Sequence, residues 1–377
     1  MSRHPIILRV DANPKSGYER LARSMTLAAA IQRRRRPVYF LSQLEPNGLA
    51  MSIKRGGNNW IAADGPAGSA EDLKQMLREI ARLHPAAVFV DDADVSADYL
   101  GEIASTGVLL GAMDHAALVR FATKLVINPL LAPNRESYEH DTDTQLLLGK
   151  RYAMVRPEIR RQRPTRSQEP PPLAAQNGTT ISSQFRVLVA LGEDDPNLMT
   201  MELAKLIGSA PRVGKVDIIV RREHPQLEEI RVLVEANKET MTLALEPAEI
   251  ANRITRCHFA LTAGSGWSLE LACVGVPQLL LLQNEMHWPN AQRLEEEGAA
   301  SILGWHENVS AATIRQGVQN LITDAMDRKS MARCGRKLID GRGPDRLVNA
   351  MEILLSPMTQ AEFQKQAAIQ FLPTQYK

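Results

Sequence analysis

The chain has 377 residues, of which 44% are hydrophobic and 23% are charged, a balance that excludes a disordered or fibrous protein. Its 45 Lys and Arg residues against 43 Asp and Glu residues leave a net charge of +2, which excludes a broad positive field for capturing nucleic acid. The 3 widely separated cysteines exclude a disulfide framework and a cysteine zinc site, so we expect a reducing compartment and no metal.

The first part of the chain alternates strand patterns with helix patterns. We predict strands at residues 5–10, 38–41, 87–90, 108–113 and 125–128, and helices at residues 18–32, 70–83 and 97–105. Such alternation is typical of a mostly parallel sheet. Because the length favours two domains, we assign residues 1–159 to an N-terminal lobe.

Four arginines at residues 33–36 follow the first predicted helix. Cations at this end of a helix complement its dipole, so we interpret the run as a solvated helix end rather than a nucleic-acid patch. No apolar run reaches the ~18 residues of a membrane span, and the amino terminus has only a short apolar stretch. We therefore expect a cytoplasmic protein without stable membrane insertion.

Residues 160–184 are rich in Pro, Ser and charge without apolar periodicity, which is the composition of a linker. After it we predict strands at residues 185–191, 216–220, 258–262 and 274–282, and helices at residues 198–207, 267–273, 290–297, 311–325 and 345–355. These patterns define a second lobe at residues 185–356, followed by a polar tail at residues 357–377. Two such Rossmann-like α/β lobes create a cleft, where we expect the function.

A glycine-bearing turn, Ala263-Gly264-Ser265-Gly266, joins a predicted strand to a predicted helix in the second lobe. Such a turn leaves backbone N–H groups free at the helix start, where the helix dipole favours an anion such as a diphosphate. The same turn joins strand to helix in many ordinary folds, so the pattern alone leaves both interpretations open.

Several stretches resemble one family when they are taken together in chain order. They are residues 9–12 with 17 and 23–28, residues 146–149 with Tyr152 and Arg156, residues 263–270 with 275–277, residues 290–291 with 298–300, and residues 340–343 with Arg346. These stretches resemble the UDP-2,4-diacetamido-2,4,6-trideoxy-altropyranose hydrolases of pseudaminic acid biosynthesis and their spore-coat polysaccharide relatives. That family is related to the MurG-type glycosyltransferases.

The resemblance implies a glycosyltransferase B architecture whose second lobe binds a UDP-linked nucleotide-sugar without a cofactor. The positions implied to bind substrate or nucleotide are Gly17, Gly192, Gly264, Ser265, Gly266, Glu270 and Asn290. Glu270 would accept hydrogen bonds from ribose hydroxyls, and its alternative is a solvated helix glutamate. Asn290 would donate to a phosphate or sugar hydroxyl, and its alternative is a helix cap.

The sequence departs from the family at two positions. Arg20 stands where the resemblance places the general-base histidine, and a permanently charged guanidinium cannot act as a base, although it can stabilise negative charge. Glu193 follows Gly192 where the family has two glycines. The catalytic candidates are therefore Asp11, Arg20, Tyr18 and Asp114, with His115 and His287 as nearby histidines that also suit ordinary surface or hydrogen-bonded roles. Asp11 is preferred as the base, and its alternative is to cap the helix at Tyr18.

Three functions follow from these features. The first is an enzyme of surface-glycan or nonulosonic acid biosynthesis that hydrolyses a UDP-sugar or transfers its sugar. The second is a catalytically degenerate homologue that binds a nucleotide-sugar or a partner enzyme without turnover. The third is a structural interaction protein, because the tail after Ser356 is rich in glutamine. The oligomeric state is not encoded in any of these patterns.

Overall fold

The computed structural model describes residues 3–14, 16–92, 95–114, 116–165, 184–192 and 195–356. Within them the chain forms two parallel sheets, one of seven strands and one of six. This arrangement confirms the predicted pair of Rossmann-like α/β lobes with a cleft between them. The predicted linker lies outside the described residues at positions 166–183, as does the whole of the predicted tail.

The strands of the first sheet are β1 (Ile6–Arg9), β2 (Val38–Ser42), β3 (Asn59–Ala62), β4 (Ala87–Val90), β5 (Leu109–Met113), β6 (Leu125–Asn128) and β7 (Gln145–Leu148). Its helices are α1 (Glu19–Gln32), α2 (Leu49–Arg55), α3 (Ala70–Leu83) and α4 (Ala97–Ser105), and a short helix α5 (Pro157–Arg160) ends this part of the chain. The order of the strands across the sheet is β3-β2-β1-β4-β5-β6-β7.

The strands of the second sheet are β8 (Phe185–Ala190), β9 (Val213–Ile219), β10 (Met241–Ala244), β11 (Phe259–Thr262), β12 (Gln278–Leu282) and β13 (Ser301–Trp305). Its helices are α6 (Thr200–Gly208), α7 (Leu227–Ala236), α8 (Pro247–Arg256), α9 (Gly266–Val274), α10 (Trp288–Glu296), α11 (Ala311–Thr323), α12 (Ala325–Leu338) and α13 (Gly343–Leu354). The strand order is β10-β9-β8-β11-β12-β13. None of the helices within the described residues is long and apolar enough to cross a membrane.

The central strands read as continuous apolar runs because both faces of each sheet are buried. In β1, Ile6 and Leu8 pack into one hydrophobic cluster while Ile7 packs into another on the opposite face. In β8, Leu188 and Val189 likewise point into two separate clusters. A run without polar alternation is therefore the signature of a strand that helices cover on both sides.

The strand order reverses direction beside the first strand of each sheet, where β1 lies between β2 and β4 and β8 lies between β9 and β11. Ligands of open parallel sheets bind at such switch points, outside the carboxyl ends of the strands. The loops after β1, β4, β8 and β11 are consequently the segments that the topology places at the candidate site.

Two helices cross between the lobes. Ile159 of α5 is buried in a cluster with residues of the second sheet and its helices. Leu347, Val348 and Met351 of α13 are buried in the cluster that contains Leu27 of α1. The predicted second lobe included α13, whereas the structure packs this helix against α1 of the first lobe, because its apolar stripe completes the core beneath α1.

Three of the four arginines at residues 33–36 contact α13, which the sequence did not predict. Arg33 Nη2 lies 2.5 Å from an oxygen of Asp345, Arg34 donates to Asn349, and Arg36 Nε lies 2.8 Å from Glu352 Oε1. The interpretation as a solvated helix end holds for Arg33 and Arg34, which remain exposed while they make these contacts, and it is wrong for Arg36, whose side chain is only 10% exposed. Sequence reasoning missed the contact because its partners lie more than 300 positions away in the chain.

These ion pairs predict a pH dependence. Hydrogen bonding to Arg36 lowers the pKa of Glu352, so the stabilising contribution of this carboxylate is present above its ordinary pKa of about 4.3 and is lost as the pH falls through the lowered value. We expect Glu352→Gln to reduce the free energy of unfolding by up to about 1 kcal/mol at pH 7 and by less at pH 4. Urea unfolding at both pH values measures the difference, with the exposed Glu102→Gln as control. A cost of Glu352→Gln that grows on acidification would contradict the assignment.

Candidate functional site

The predicted glycine turn lies at the carboxyl end of β11 and leads into α9. Gly264 has φ +77°, and a Cβ at this position would lie 3.0 Å from the Ala291 Cβ and 3.2 Å from the backbone oxygen of His287. Only glycine fits a turn with this backbone conformation and these close neighbours. The Gly264 N–H donates to Ser268 Oγ at 3.0 Å, which fixes the turn against the first turn of α9.

The start of α9 has the properties of an anion-binding position. Ser265 is the N-terminal cap residue, and its hydroxyl is fully buried with no hydrogen-bond partner among the described residues. Helix N-termini present free N–H groups and the positive end of the helix dipole. A buried hydroxyl without a partner beside such a terminus is costly unless a ligand accepts from it or donates to it.

The loop after β8 closes the other side of this position. Gly192 has φ +119°, and a Cβ there would lie 2.9 Å from Ser265 Oγ. Asp195 anchors the loop, since its carboxylate accepts from the N–H groups of Met199 and Thr200 and lies 3.2 Å from His224 Nε2. The structure thus brings together in one cluster Gly192, Gly264, Ser265 and Gly266, four of the positions that the resemblance implies to bind substrate or nucleotide. Glu193, which the sequence placed beside it, lies outside the described residues, as does His115.

A carboxylate of the opposite lobe already lies at the start of α9. Glu19, the first residue of α1, has its Oε1 3.3 Å from His287 Nε2 and accepts a hydrogen bond from the Gly266 N–H. Burial opposes ionisation of Glu19, but His287, Arg23 and the Gly266 N–H outweigh it and lower the pKa of the carboxyl. The position therefore holds a negative charge supplied by the chain itself.

Glu270 lies one helical turn after the start of α9 and is bound by Arg156. The Arg156 Nε lies 2.9 Å and 3.0 Å from the two carboxylate oxygens, Nη2 lies 2.5 Å from Oε2, and the Arg156 backbone N–H donates to Oε1 at 2.9 Å. The guanidinium also stacks on the ring of Trp267 at 4.4 Å. A carboxylate offers about four lone-pair sites, so a ribose can use Glu270 only by exchanging with some of these donors.

Asn290 contacts the first lobe as well. Its Oδ1 accepts from the backbone N–H of Leu131 at 3.0 Å. The alternative role as a helix cap does not apply, because α10 begins at Trp288 with His287 as its cap residue. Asn290 is buried and lines the same small cavity as Gly266 and Glu270.

Two adjoining cavities occupy the cleft. The larger, of about 460 Å³, lies between α1, represented by Leu21 and Met25, and the residues Val220 and Leu245 that follow β9 and β10. The smaller, of about 80 Å³, is lined by Glu19, Arg23, Gly266, Glu270 and Asn290 among others. Arg156 and Trp267 line both cavities. The volume of the larger cavity, about 460 Å³, is within the range of small-molecule sites.

The Asp11 carboxylate is fully engaged in structural contacts with neighbouring donors of the chain. Its carboxylate pairs with the guanidinium of Arg9 and accepts from the N–H groups of Gln43 at 2.7 Å and Ala67 at 3.0 Å. These donors occupy the lone pairs that a general base needs, and the side chain is buried. These contacts argue against Asp11 as the general base. They also argue against its alternative role as a cap of the helix at Tyr18, because the partners of Asp11 lie at strand ends and in loops.

The other first-lobe candidates are also engaged. The guanidinium of Arg20 lies 2.9 Å from Asp92, and the Tyr18 ring, which lines the larger cavity, is covered by the Arg221 guanidinium at 3.5 Å. Burial raises the pKa of Asp114, whose Oδ2 accepts from the Ala117 N–H at 2.6 Å. The turn glycine Gly17 has φ +75° and donates its N–H to the Asn13 oxygen, so it shapes the loop before α1.

Sequence reasoning missed Glu19, Arg23 and Trp267 as cleft residues and assigned no role to Arg156. An acidic residue in the first turn of a helix complements the dipole of that helix, so the position of Glu19 in sequence suggests an ordinary role. Its actual partner is the N-terminus of a different helix. His287, considered only as a nearby histidine, is the side chain that contacts this carboxylate.

Comparison of the sequence with known proteins finds a relative over part of the chain. No family model matches the chain. A region of 232 residues, 61% of the chain, is 26% identical to the spore coat polysaccharide biosynthesis protein SpsG of Bacillus subtilis (strain 168). The match spans 64% of the length of that protein, which is less than two thirds.

Three solved structures share the architecture over almost the whole chain. Acinetobacter baumannii MurG superposes with a TM-score of 0.60 at 13% identity, covering 92% of this chain and 99% of MurG. The glycosyltransferase VinC in complex with dTDP gives 0.61 at 14% identity over 93% and 99% of the two chains. S. aureus MnaA with UDP gives 0.57 at 15% identity over 94% and 97%. The predicted glycosyltransferase B type of fold is thereby confirmed.

Proposed function

We propose that the chain binds a nucleotide-sugar, UDP-linked, in the cleft and acts as an enzyme of surface-glycan or nonulosonic acid biosynthesis. One observation carries this proposal. The start of α9 combines a glycine turn that tolerates no side chain with a buried Ser265 hydroxyl without a partner among the described residues. The Glu19 carboxylate lies beside this position, and the lowering of its pKa despite burial supports a preference for anions there.

The remaining nucleotide groups have partners nearby. We place the diphosphate at Ser265 and Gly266, the ribose at Glu270, and the base in the larger cavity beside Val220 and Leu245. Gly192 and Asn290 border the diphosphate position. The nucleotides named with VinC and MnaA, and the polysaccharide function named for SpsG, support a ligand of this class.

The reaction would break the bond between the sugar and the diphosphate, with water or an acceptor hydroxyl as the nucleophile. We propose that Arg20 and Arg23, on the first turns of α1, help to stabilise the charge that develops on the diphosphate. Both guanidinium groups are held by aspartates that follow β4, Arg20 by Asp92 and Arg23 by Asp91.

A second function is favoured by a specific observation. The carboxylates of Asp11 and Asp114 are both buried and engaged by N–H or guanidinium donors, and an arginine stands at residue 20. These contacts suit a degenerate homologue that binds a nucleotide-sugar or a partner enzyme without turnover. Turnover is therefore the property that separates the two candidates.

Calorimetric titration with UDP, dTDP and a UDP-N-acetylhexosamine tests the binding, and nucleotide release from the UDP-sugar tests the chemistry. We expect dissociation constants of roughly 1 μM to 1 mM for UDP and its sugar, in the range common for substrates. Release of UDP with water or with added hydroxyl acceptors identifies the enzyme. Binding without release favours the degenerate homologue. The absence of any nucleotide binding contradicts the enzyme and leaves, of the second candidate, only the homologue that binds a partner enzyme.

A further inference from the structure

Glu19 belongs to the first lobe, but its carboxylate lies at the N-terminus of a helix in the second lobe. Its Oε1 is 3.3 Å from His287 Nε2, and the Gly266 N–H donates to the carboxylate. The same oxygen is 3.4 Å from the point where a Cβ of Gly192 would be. The carboxylate thus lies among the groups that border the proposed diphosphate position.

The partners of Glu19 are those that a phosphate oxygen uses. A helix N-terminal N–H, an imidazole and a nearby guanidinium, that of Arg23, together lower the pKa of its carboxyl although burial opposes ionisation. At neutral pH the position is therefore already occupied by one negative charge. A phosphate that bound beside the Glu19 carboxylate would be repelled by its charge, and it would have to compete with the carboxylate for the same hydrogen-bond donors.

Other groups of the second lobe are held from the first lobe in the same way. Arg156 occupies the carboxylate of Glu270, and the Leu131 N–H occupies Oδ1 of Asn290. Contacts between the two lobes therefore occupy three positions of the proposed nucleotide site. Of the three first-lobe groups that make these contacts, namely Glu19, Arg156 and the Leu131 N–H, Glu19 is the one that carries the same charge as a phosphate.

We propose that Glu19 is an internal anion that competes with the phosphates of a ligand, so that a phosphate group binds at the start of α9 only by displacing it. The proposal rests on the proposed function for the identity of the ligand, a nucleoside diphosphate. The position of the internal anion does not depend on the proposed function. Affinity then depends on ligand charge, because a nucleoside without phosphate leaves Glu19 in place.

The experiment compares the wild-type protein with Glu19→Gln, which keeps the side-chain shape and removes the charge. Glu71→Gln is the matched control, because Glu71 is an exposed glutamate in the first turn of α3. Calorimetric titrations use three probes, UDP, inorganic pyrophosphate and uridine. We expect Glu19→Gln to bind UDP and pyrophosphate about tenfold more tightly than wild type and uridine unchanged, with no change in the control.

The outcomes separate this proposal from the proposed function. Tighter pyrophosphate binding by Glu19→Gln without uridine or UDP binding supports the internal anion and contradicts the nucleotide site. Equal UDP and pyrophosphate affinities in the two proteins overturn the internal anion while leaving the nucleotide site intact. An equal gain for uridine overturns it too, because the variant would then have loosened the cleft in general. Failure of all three probes with both proteins overturns both proposals.

Discussion

Replacing Arg9 with methionine is expected to lower the free energy of unfolding by about 3 to 5 kcal/mol. Arg9 is a fully buried arginine in β1, and its guanidinium binds the carboxylates of Asp11 and Asp72. Methionine fills similar space but leaves both carboxylates in the interior without a cation. The cost of one unpaired buried charge is far larger than the gain from an exposed ion pair.

The cluster around Arg9 also joins several loops. Arg9 Nη2 donates to the Gly65 oxygen at 3.1 Å, Tyr99 donates its hydroxyl to Asp72 at 2.7 Å, and Asp11 accepts from backbone N–H groups after β2 and β3. Burial and the neighbouring Asp72 raise the pKa of Tyr99, so its hydroxyl remains a donor. The carboxyl edge of the first sheet is therefore fixed by a buried polar network.

Urea unfolding of Arg9→Met measures this cost, with the exposed Arg315→Met on α11 as the matched control. Replacing Asp11 and Asp72 by asparagine in the same chain removes the unpaired charges and should recover part of the loss. An Arg9→Met protein as stable as Arg315→Met would show that the cluster contributes nothing.

Replacing Glu270 with alanine is expected to weaken UDP binding by about 10- to 100-fold, the value of hydrogen bonds from ribose hydroxyls to a charged acceptor. The competing explanation is that Glu270 only holds Arg156, with which it shares a bidentate contact. The 2′-deoxy analogue of UDP separates the two, since it lacks one of the hydroxyls that the carboxylate would accept.

We expect wild type to bind UDP more tightly than the 2′-deoxy analogue and Glu270→Ala to bind the two equally. The exposed Glu202→Ala in the first turn of α6 controls for loss of a helix glutamate. If Glu270→Ala retains the discrimination between the two nucleotides, the carboxylate does not contact the ribose. A lowered melting temperature alone would report only the loss of the Arg156 contact.

The fold was largely predictable because its strongest signals are local. The buried strands β1 and β4 and the capped helix α3 have continuous apolar runs or clear helical periodicity. All four edge strands, β3, β7, β10 and β13, were missed, since each has only four or five residues and partly exposed side chains. Helices α2, α7, α8 and α12 were also missed. In the case of α12, Asp324, which caps the helix by accepting from the Asp327 N–H, falls within the predicted helix at residues 311–325.

The site was predictable only where backbone conformation dictates the residue. The glycines of the turn before α9 are required by a positive φ and close neighbours, so they mark the turn in the sequence. The partners of Glu19 and Arg156 lie across the cleft, with Glu270 114 positions after Arg156. Such contacts follow from the arrangement of the two lobes, which neither periodicity nor spacing encodes.

The most direct test of the account is a crystal structure of the protein with UDP bound. We predict phosphate oxygens within hydrogen-bond distance of the Gly266 N–H and the Ser265 hydroxyl, the ribose at Glu270, and the Glu19 carboxylate turned away from α9. UDP bound elsewhere, or phosphates at a position that leaves Glu19 on the Gly266 N–H, would contradict it.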